Sequence, residues 1–243
     1  MPNYKRPPVI EAVIEVRFGG PALDDKVMDT LLKRFSERYP APPQKTDNVG
    51  FELTGTMLRL SQQNVGFKIL SADGRFTVNL GRNSLGTSRN APYAGWDEFM
   101  EEARHNWSDW KRIVDWREVS RIGLRYINRI DVPYSTTGVT KLEEYFGFYV
   151  DTPEIPGFAA MANFAINAEI PMTDKPIKLI INHAPTPSPL VQTNSFLLDL
   201  DLGMEQTLPT SEKALWEIIE GLRSVKNSVF EACITDRTRE LFS

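Results

Sequence analysis

The sequence predicts an α+β protein built on an antiparallel sheet, and three observations carry that reading. Val9–Phe18 and Arg121–Val132 alternate apolar and charged residues with a period of two, the pattern of strands covered on one face and wet on the other. Other segments place apolar side chains three and four residues apart, the spacing of helices lying on a core. The order of segments also repeats, each half reading strand, helix, three strands, helix. Residues 1–118 and 119–243 are therefore expected to be two β-α-β-β-β-α halves of one domain, a duplication of topology that gives one curved antiparallel sheet with helices on one face.

The first strand follows Pro7 and Pro8 and carries Ile10, Ala12, Ile14, Val16 and Phe18 on one side, with Glu11, Glu15 and Arg17 on the other. A helix is expected over 24–39, where Val27, Leu31 and Phe35 recur at helical spacing and Asp24 and Asp25 suit the positive end of the dipole. Pro40, Pro42 and Pro43 end it. Strands are expected over 51–60, 65–70 and 76–80, the last two joined by an Asp73-Gly74 turn. A second helix over 96–114 has one stripe of Trp96, Phe99, Met100, Ala103, Trp107, Trp110 and Val114, which reads as core. In the second half, Ile122, Leu124, Tyr126, Ile130 and Val132 face one way and Arg125, Arg129 and Asp131 the other. A short helix over 142–146 has the capping-box spacing of Thr140 and Glu143. Strands over 162–170, 177–183 and 196–202 follow, then a closing helix with Leu215, Ile218, Leu222, Val225 and Val229 inward.

Composition excludes several classes. With 41% hydrophobic residues in 243, a substantial core is possible, and a 25% charged share fits a folded domain. The net charge of −4 and a pI near 5.4 give no global attraction to nucleic acid or acidic membranes. No run long and apolar enough to span a bilayer and no leader-like segment is present, so a cytoplasmic location without a membrane partner is expected. The single cysteine, Cys233, rules out an intrachain disulfide and reads as a buried thiol.

The catalytic inventory is thin. His105 and His183 are the only histidines, so neither a zinc site nor a nucleophile–histidine pair has much to draw on. His105 reads as solvated and His183 as a structural hydrogen-bonder. GRNSLGTS, Gly81 to Ser88, has the glycine spacing of a phosphate loop, but Thr87 stands where lysine is needed, and the segment reads as a flexible connection. No catalytic residue and no cofactor are assigned. The outward face holds the candidate binding residues Arg17, Arg125, Arg129, Asp199 and Asp201, with Arg59, Lys68, Arg75 and Lys178 on the same predicted side. Mixed charge without outward aromatics suits a protein partner, or a homodimer, better than nucleic acid, and the sheet edges and the proline-rich loop Ala184 to Leu190 are the other surfaces expected to make such contacts. Reversing Arg125 and Arg129 is expected to abolish partner capture and leave the fold intact. The alternative is a metal-dependent hydrolase or nuclease holding magnesium or manganese on Glu169, Asp199 and Asp201. Asn128, on the apolar side, reads as a satisfied buried amide.

The element order resembles the saddle of the TATA-binding-protein fold, a likeness of topology that carries no function. PPVIEAVIEVRF at the start, GLRYINRI at Gly123 to Ile130, LDLD at Leu198 to Asp201 and ITDRTRELF at Ile234 to Phe242 together resemble a sporadically distributed, uncharacterised prokaryotic protein family of about this length. The resemblance implies no activity, cofactor or catalytic residue. It implies a patchy gene history of the kind typical of defence and toxin–antitoxin systems, and hence an accessory interaction protein.

Overall fold

In a computed structural model of the chain, residues 4–54, 57–135, 140–153, 155–157, 161 and 163–243 are described, the side chains at 48–54 and 57–64 excepted. The described elements, in chain order, are β1 (Val9–Phe18), α1 (Asp25–Phe35), β2 (Gln44–Thr54), β3 (Met57–Leu70), β4 (Phe76–Gly81), β5 (Ser84–Asn90), α2 (Trp96–Val114), β6 (Val119–Pro133), a 3₁₀ turn (Leu142–Glu144), β7 (Ile166–Pro171), β8 (Ile177–Thr186), β9 (Thr193–Met204), α3 (Glu212–Cys233) and α4 (Asp236–Glu240). The strands form one sheet in the order β2-β3-β4-β5-β1-β6-β9-β8-β7, with antiparallel registers throughout the outer pairs. The α+β class and the antiparallel sheet are as expected. Two compact units divide the chain, Met1–Ala12 with Gly123–Ser243, and Val13–Ile122.

In the unit Val13–Ile122, Asp24 caps α1 by accepting from the Val27 N–H at 2.9 Å, as its place before the apolar stripe predicts. The tryptophan stripe is core: Phe18 stacks on Trp110 with ring centroids 4.4 Å apart, and Trp107 stacks on Trp110. A polar clamp joins α1 to α2, Arg34 giving two hydrogen bonds to Asp109 Oδ1 while Arg38 reaches Asp109 and Glu102. Two expectations fail here. The strands expected over 51–60 and 65–70 are instead the antiparallel pair β2 and β3, residues 55–56 lying outside the described residues. GRNSLGTS is no flexible connection, because Gly81 and Ser84 close a tight hairpin and Ser84–Asn90 is strand β5. The turn is tight: a Cβ on Gly81 would lie 2.1 Å from Ser84 Oγ, so a larger residue there needs that hydroxyl to rotate away.

In the other unit, β6 has the predicted two faces, Ile122, Leu124, Tyr126, Ile130 and Val132 all being buried. Its core joins Ile130, Phe146, Ile181, Phe196, Leu198, Phe230 and Phe242. The expected helix over 142–146 is a 3₁₀ turn that begins after Lys141 without a side-chain cap, Thr140 Oγ1 being taken by Asn194 Nδ2 at 2.7 Å. In α3 the buried stripe is Leu215, Ile219, Leu222, Lys226, Phe230 and Cys233. Trp216 is buried with it, and the stripe is offset from the expected one, Ile218, Val225 and Val229 being only partly buried while inward position 226 is a lysine that an apolar spacing passes over. Helix α4, which was not expected, falls in ITDRTRELF; Thr235 Oγ1 donates to the Glu144 carbonyl and Thr238 Oγ1 to that of Tyr145, each at 2.6 Å. That motif locks the chain end onto the 3₁₀ turn.

Candidate functional site

The outward residues of β6 and β9 are held in a closed polar row. Arg125 clasps Asp199 with two parallel hydrogen bonds, Nε to Oδ1 at 2.8 Å and Nη2 to Oδ2 at 2.7 Å, the bidentate geometry that makes arginine–carboxylate pairs strong. Asn182 Nδ2 adds a bond to Asp199 Oδ2 at 3.0 Å, and Asn167 Nδ2 donates to Asn182 Oδ1 at 2.6 Å. The row follows from register, since Asn182 opposes both Asp199 and Asn167. Asp199 is 6% exposed, so its charge depends on these partners. Hydrogen bonding to Asp199, more than the charges of Asp199, Asp201 and Glu11, raises the Arg125 pKa against the opposing effect of burial.

The other candidates are dispersed. Arg129 Nε meets Asp131 at 3.0 Å on its own strand, and Asp131 also accepts from Ser195 Oγ at 2.5 Å. Arg17, in the unit Val13–Ile122, pairs with Glu15 at 2.7 Å, which Arg121 also reaches. Glu169 pairs with Lys178 at 3.0 Å. Asp201 opposes Ile180, and Ile180 opposes Glu169, so an apolar side chain stands between those two carboxylates. Asp199, Asp201 and Glu169 share a face but do not converge, and among the described residues no group of three or more His, Cys, Asp or Glu side chains is arranged to hold a metal ion. The Arg59 side chain lies outside the described residues.

His105 is exposed. His183 lies inside β8 and is fully buried, among Phe146, Phe164 and Phe196, with Nδ1 2.9 Å from the Phe148 carbonyl. Burial outweighs that hydrogen bond and lowers its pKa from 6.5 to about 4. Between those values the unfolded chain binds the proton and the native state does not, so stability is complete above pH 6.5 and falls as the pH drops toward 4. The contribution is bounded at about 3 kcal/mol. Denaturant titrations of His183→Leu should show a flatter loss from pH 6.5 to 4.5 than the unmodified protein; parallel curves would sink this assignment. Asn128 is buried and donates to the Leu198 carbonyl at 3.0 Å. Burial pushes the Cys233 thiol up to about 11, which makes it an inert core residue.

A second surface includes the end of the proline-rich loop Ala184 to Leu190 and adds Tyr134 and Val191, which the sequence reading did not single out. The turn from β8 to β9 presents Leu190, 54% exposed, and Val191, 90% exposed, beside Tyr134, 58% exposed at the end of β6. The Tyr134 N–H donates to the Gln192 carbonyl at 3.0 Å, Ser188 Oγ exchanges hydrogen bonds with Leu190, and Thr193 Oγ1 donates to the Val191 carbonyl. Gln192 has φ 57°, a left-handed conformation uncommon for such a residue. Tyr134 also lines a cleft of about 500 Å³ with Pro133, Lys141, Tyr145 and Arg237. Arg237 pairs with Glu144 and lies 4.7 Å over the Tyr145 ring. The adjacent pair Leu190-Val191 between PSP and QTN was the available signal.

No protein-family model matches the chain, and a search of curated proteins finds no match. Among the described residues no helix is long and apolar enough to cross a membrane.

Proposed function

We propose that this chain is a cytoplasmic, non-catalytic protein-binding module that docks a partner on the Tyr134–Leu190–Val191 prominence and the adjoining cleft. The observation that carries the reading is Val191, nine-tenths exposed on a turn fixed by side-chain and backbone hydrogen bonds. Apolar side chains gathered at one surface mark interaction sites. Tyrosine and arginine, both present in the cleft, are the residues on which binding energy concentrates. The motif resemblance supports an accessory role in a prokaryotic defence or toxin–antitoxin type system. The halves are not equal repeats, since four strands follow α1 in the first and a 3₁₀ turn stands in place of a helix after β6 in the second; their shared strand-first, helix-last order is what supports descent from a duplicated unit in the arrangement of the TATA-binding-protein fold.

The test is quantitative mass spectrometry of what copurifies with the tagged protein, run against Leu190→Asp with Val191→Asp. Both positions are exposed, so the melting temperature should hold while the stoichiometric partner falls at least about tenfold, the effect of losing one hot-spot contact. Equal recovery of the partner by both proteins would remove this surface from contention.

A further inference from the structure

We propose that the outer edge of β7 is a self-pairing strand, and that the partner it fits is β7 of a second copy of this chain. The proposal is independent of the docking surface above. Strand β7 ends the sheet order, and among the described residues no strand pairs with its outer side. The hydrogen bond from the Met172 N–H to the Ile177 carbonyl, 2.8 Å, fixes which residues bond to β8. Hydrogen-bonded and non-hydrogen-bonded pairs alternate in an antiparallel ladder, so Ile170, Ala168 and Ile166 bond to β8. The backbone groups of Asn167 and Glu169 therefore point to the open edge.

The strand reads Ile-Asn-Ala-Glu-Ile, nearly the same in both directions. Around a two-fold axis through Ala168, Asn167 exchanges backbone hydrogen bonds with Glu169 of the second copy, and Glu169 with its Asn167. Their side chains then set an amide donor against a carboxylate, and no like charges meet. On the opposite face Ile166 meets Ile170 of the second copy, covering a side chain that is 44% exposed here. Ala168 meets its own equivalent in a non-hydrogen-bonded pair, where Cα atoms approach to about 4.5 Å and a small residue fits. Pro171, with no N–H to give, falls at the end of the ladder and terminates it. Natural edges are often blunted by lysine, inward charges or proline; β7 has no lysine, its one charge, Glu169, is matched by Asn167 of the second copy, and its proline stands only at the strand's end. One strand from each copy is a small interface, so dissociation no tighter than about micromolar is expected.

The test uses the full chain with Ala168→Cys in a glutathione redox buffer. Cys233 is buried and leaves the unmodified chain as the negative control. A disulfide-linked dimer is expected from Ala168→Cys, and none from Ile170→Cys, whose partner across the axis is Ile166. In sedimentation, the unmodified chain should dimerise with concentration, and Asn167→Lys with Glu169→Lys, which sets lysine against lysine, should weaken the dimer at least tenfold with the circular dichroism spectrum retained. A chain that sediments as a monomer at its highest soluble concentration, or an Ala168→Cys protein that does not cross-link, overturns the proposal. So does a cross-link from Ala168→Cys that joins only some other extended polypeptide.

Discussion

Arg125→Ala should destabilise the protein by about 2–4 kcal/mol, the range for stranding one partner of a buried ion pair, reduced here because the arginine is itself half exposed. The effect comes from what is left behind. Asp199 is 6% exposed and would keep only the Asn182 amide at 3.0 Å, too little to replace two charge-assisted bonds. Asp199→Asn in the same background removes the buried charge, keeps the shape, and should recover at least half of the loss. A denaturant measurement showing less than about 0.5 kcal/mol for Arg125→Ala would mean that solvent already satisfies Asp199. The closed row would then be no more than a surface pair.

This bears on how the face can be probed. Reversing Arg125 together with Arg129 sets one carboxylate against buried Asp199 and another against Asp131, so lost partner capture would report unfolding as readily as a lost contact. With two hydrogen bonds tying Arg125 to Asp199, such a reversal is expected to cost stability as well as any partner contact. Leu190 and Val191 make the cleaner probe, since both are more than half exposed.

The parts of the fold legible in the sequence were those with an uninterrupted period and firm punctuation. Strand β1 follows two prolines, and α2 runs between Gly95 and Asp115 with a tryptophan stripe. Strand β5 was missed because Leu85–Arg89 is buried on both sides. Alternation is lost there, and Thr87, Ser88 and Arg89 look like a polar loop although each is at most 2% exposed. Arg89 is accommodated 4.9 Å above the Phe76 ring, with Nη1 donating to the Asn90 carbonyl. Arg125 and Asp199 were each identified as outward residues, but not as partners, because the adjacency of β6 and β9 is a long-range pairing that no local pattern encodes. The loop ending at Leu190 was legible as a contact surface from its prolines, but Val191 was not, because an apolar residue reads as core and only tertiary structure shows it 90% exposed.

Lys226→Met should stabilise the protein near neutral pH by about 1–3 kcal/mol and remove a rise in stability with pH. Lys226 is 3% exposed within the buried stripe of α3, its ammonium 3.9 Å from the centre of the Tyr126 ring. Burial, helped by the charge of Arg223 and opposed by Glu231, lowers its pKa from 10.5 to about 7. Above pH 7 the native lysine sheds its proton while the unfolded one keeps it up to 10.5, so the unfolded state binds more protons across that window. Stability must therefore increase with pH there, approaching about 1.4 kcal/mol per unit. At pH 7 and below the full cost of burying the charge is present, bounded at about 5 kcal/mol and reduced by attraction to the Tyr126 ring. Methionine fills similar volume without a charge. Guanidinium melts of both proteins at pH 7, 8 and 9 decide the matter: the unmodified protein should gain stability along the series, and the variant should start higher and stay flatter. If Lys226→Met is instead less stable at pH 7, the ammonium–ring contact outweighs desolvation, and the lysine holds α3 against β6 as a stabilising cation in the core.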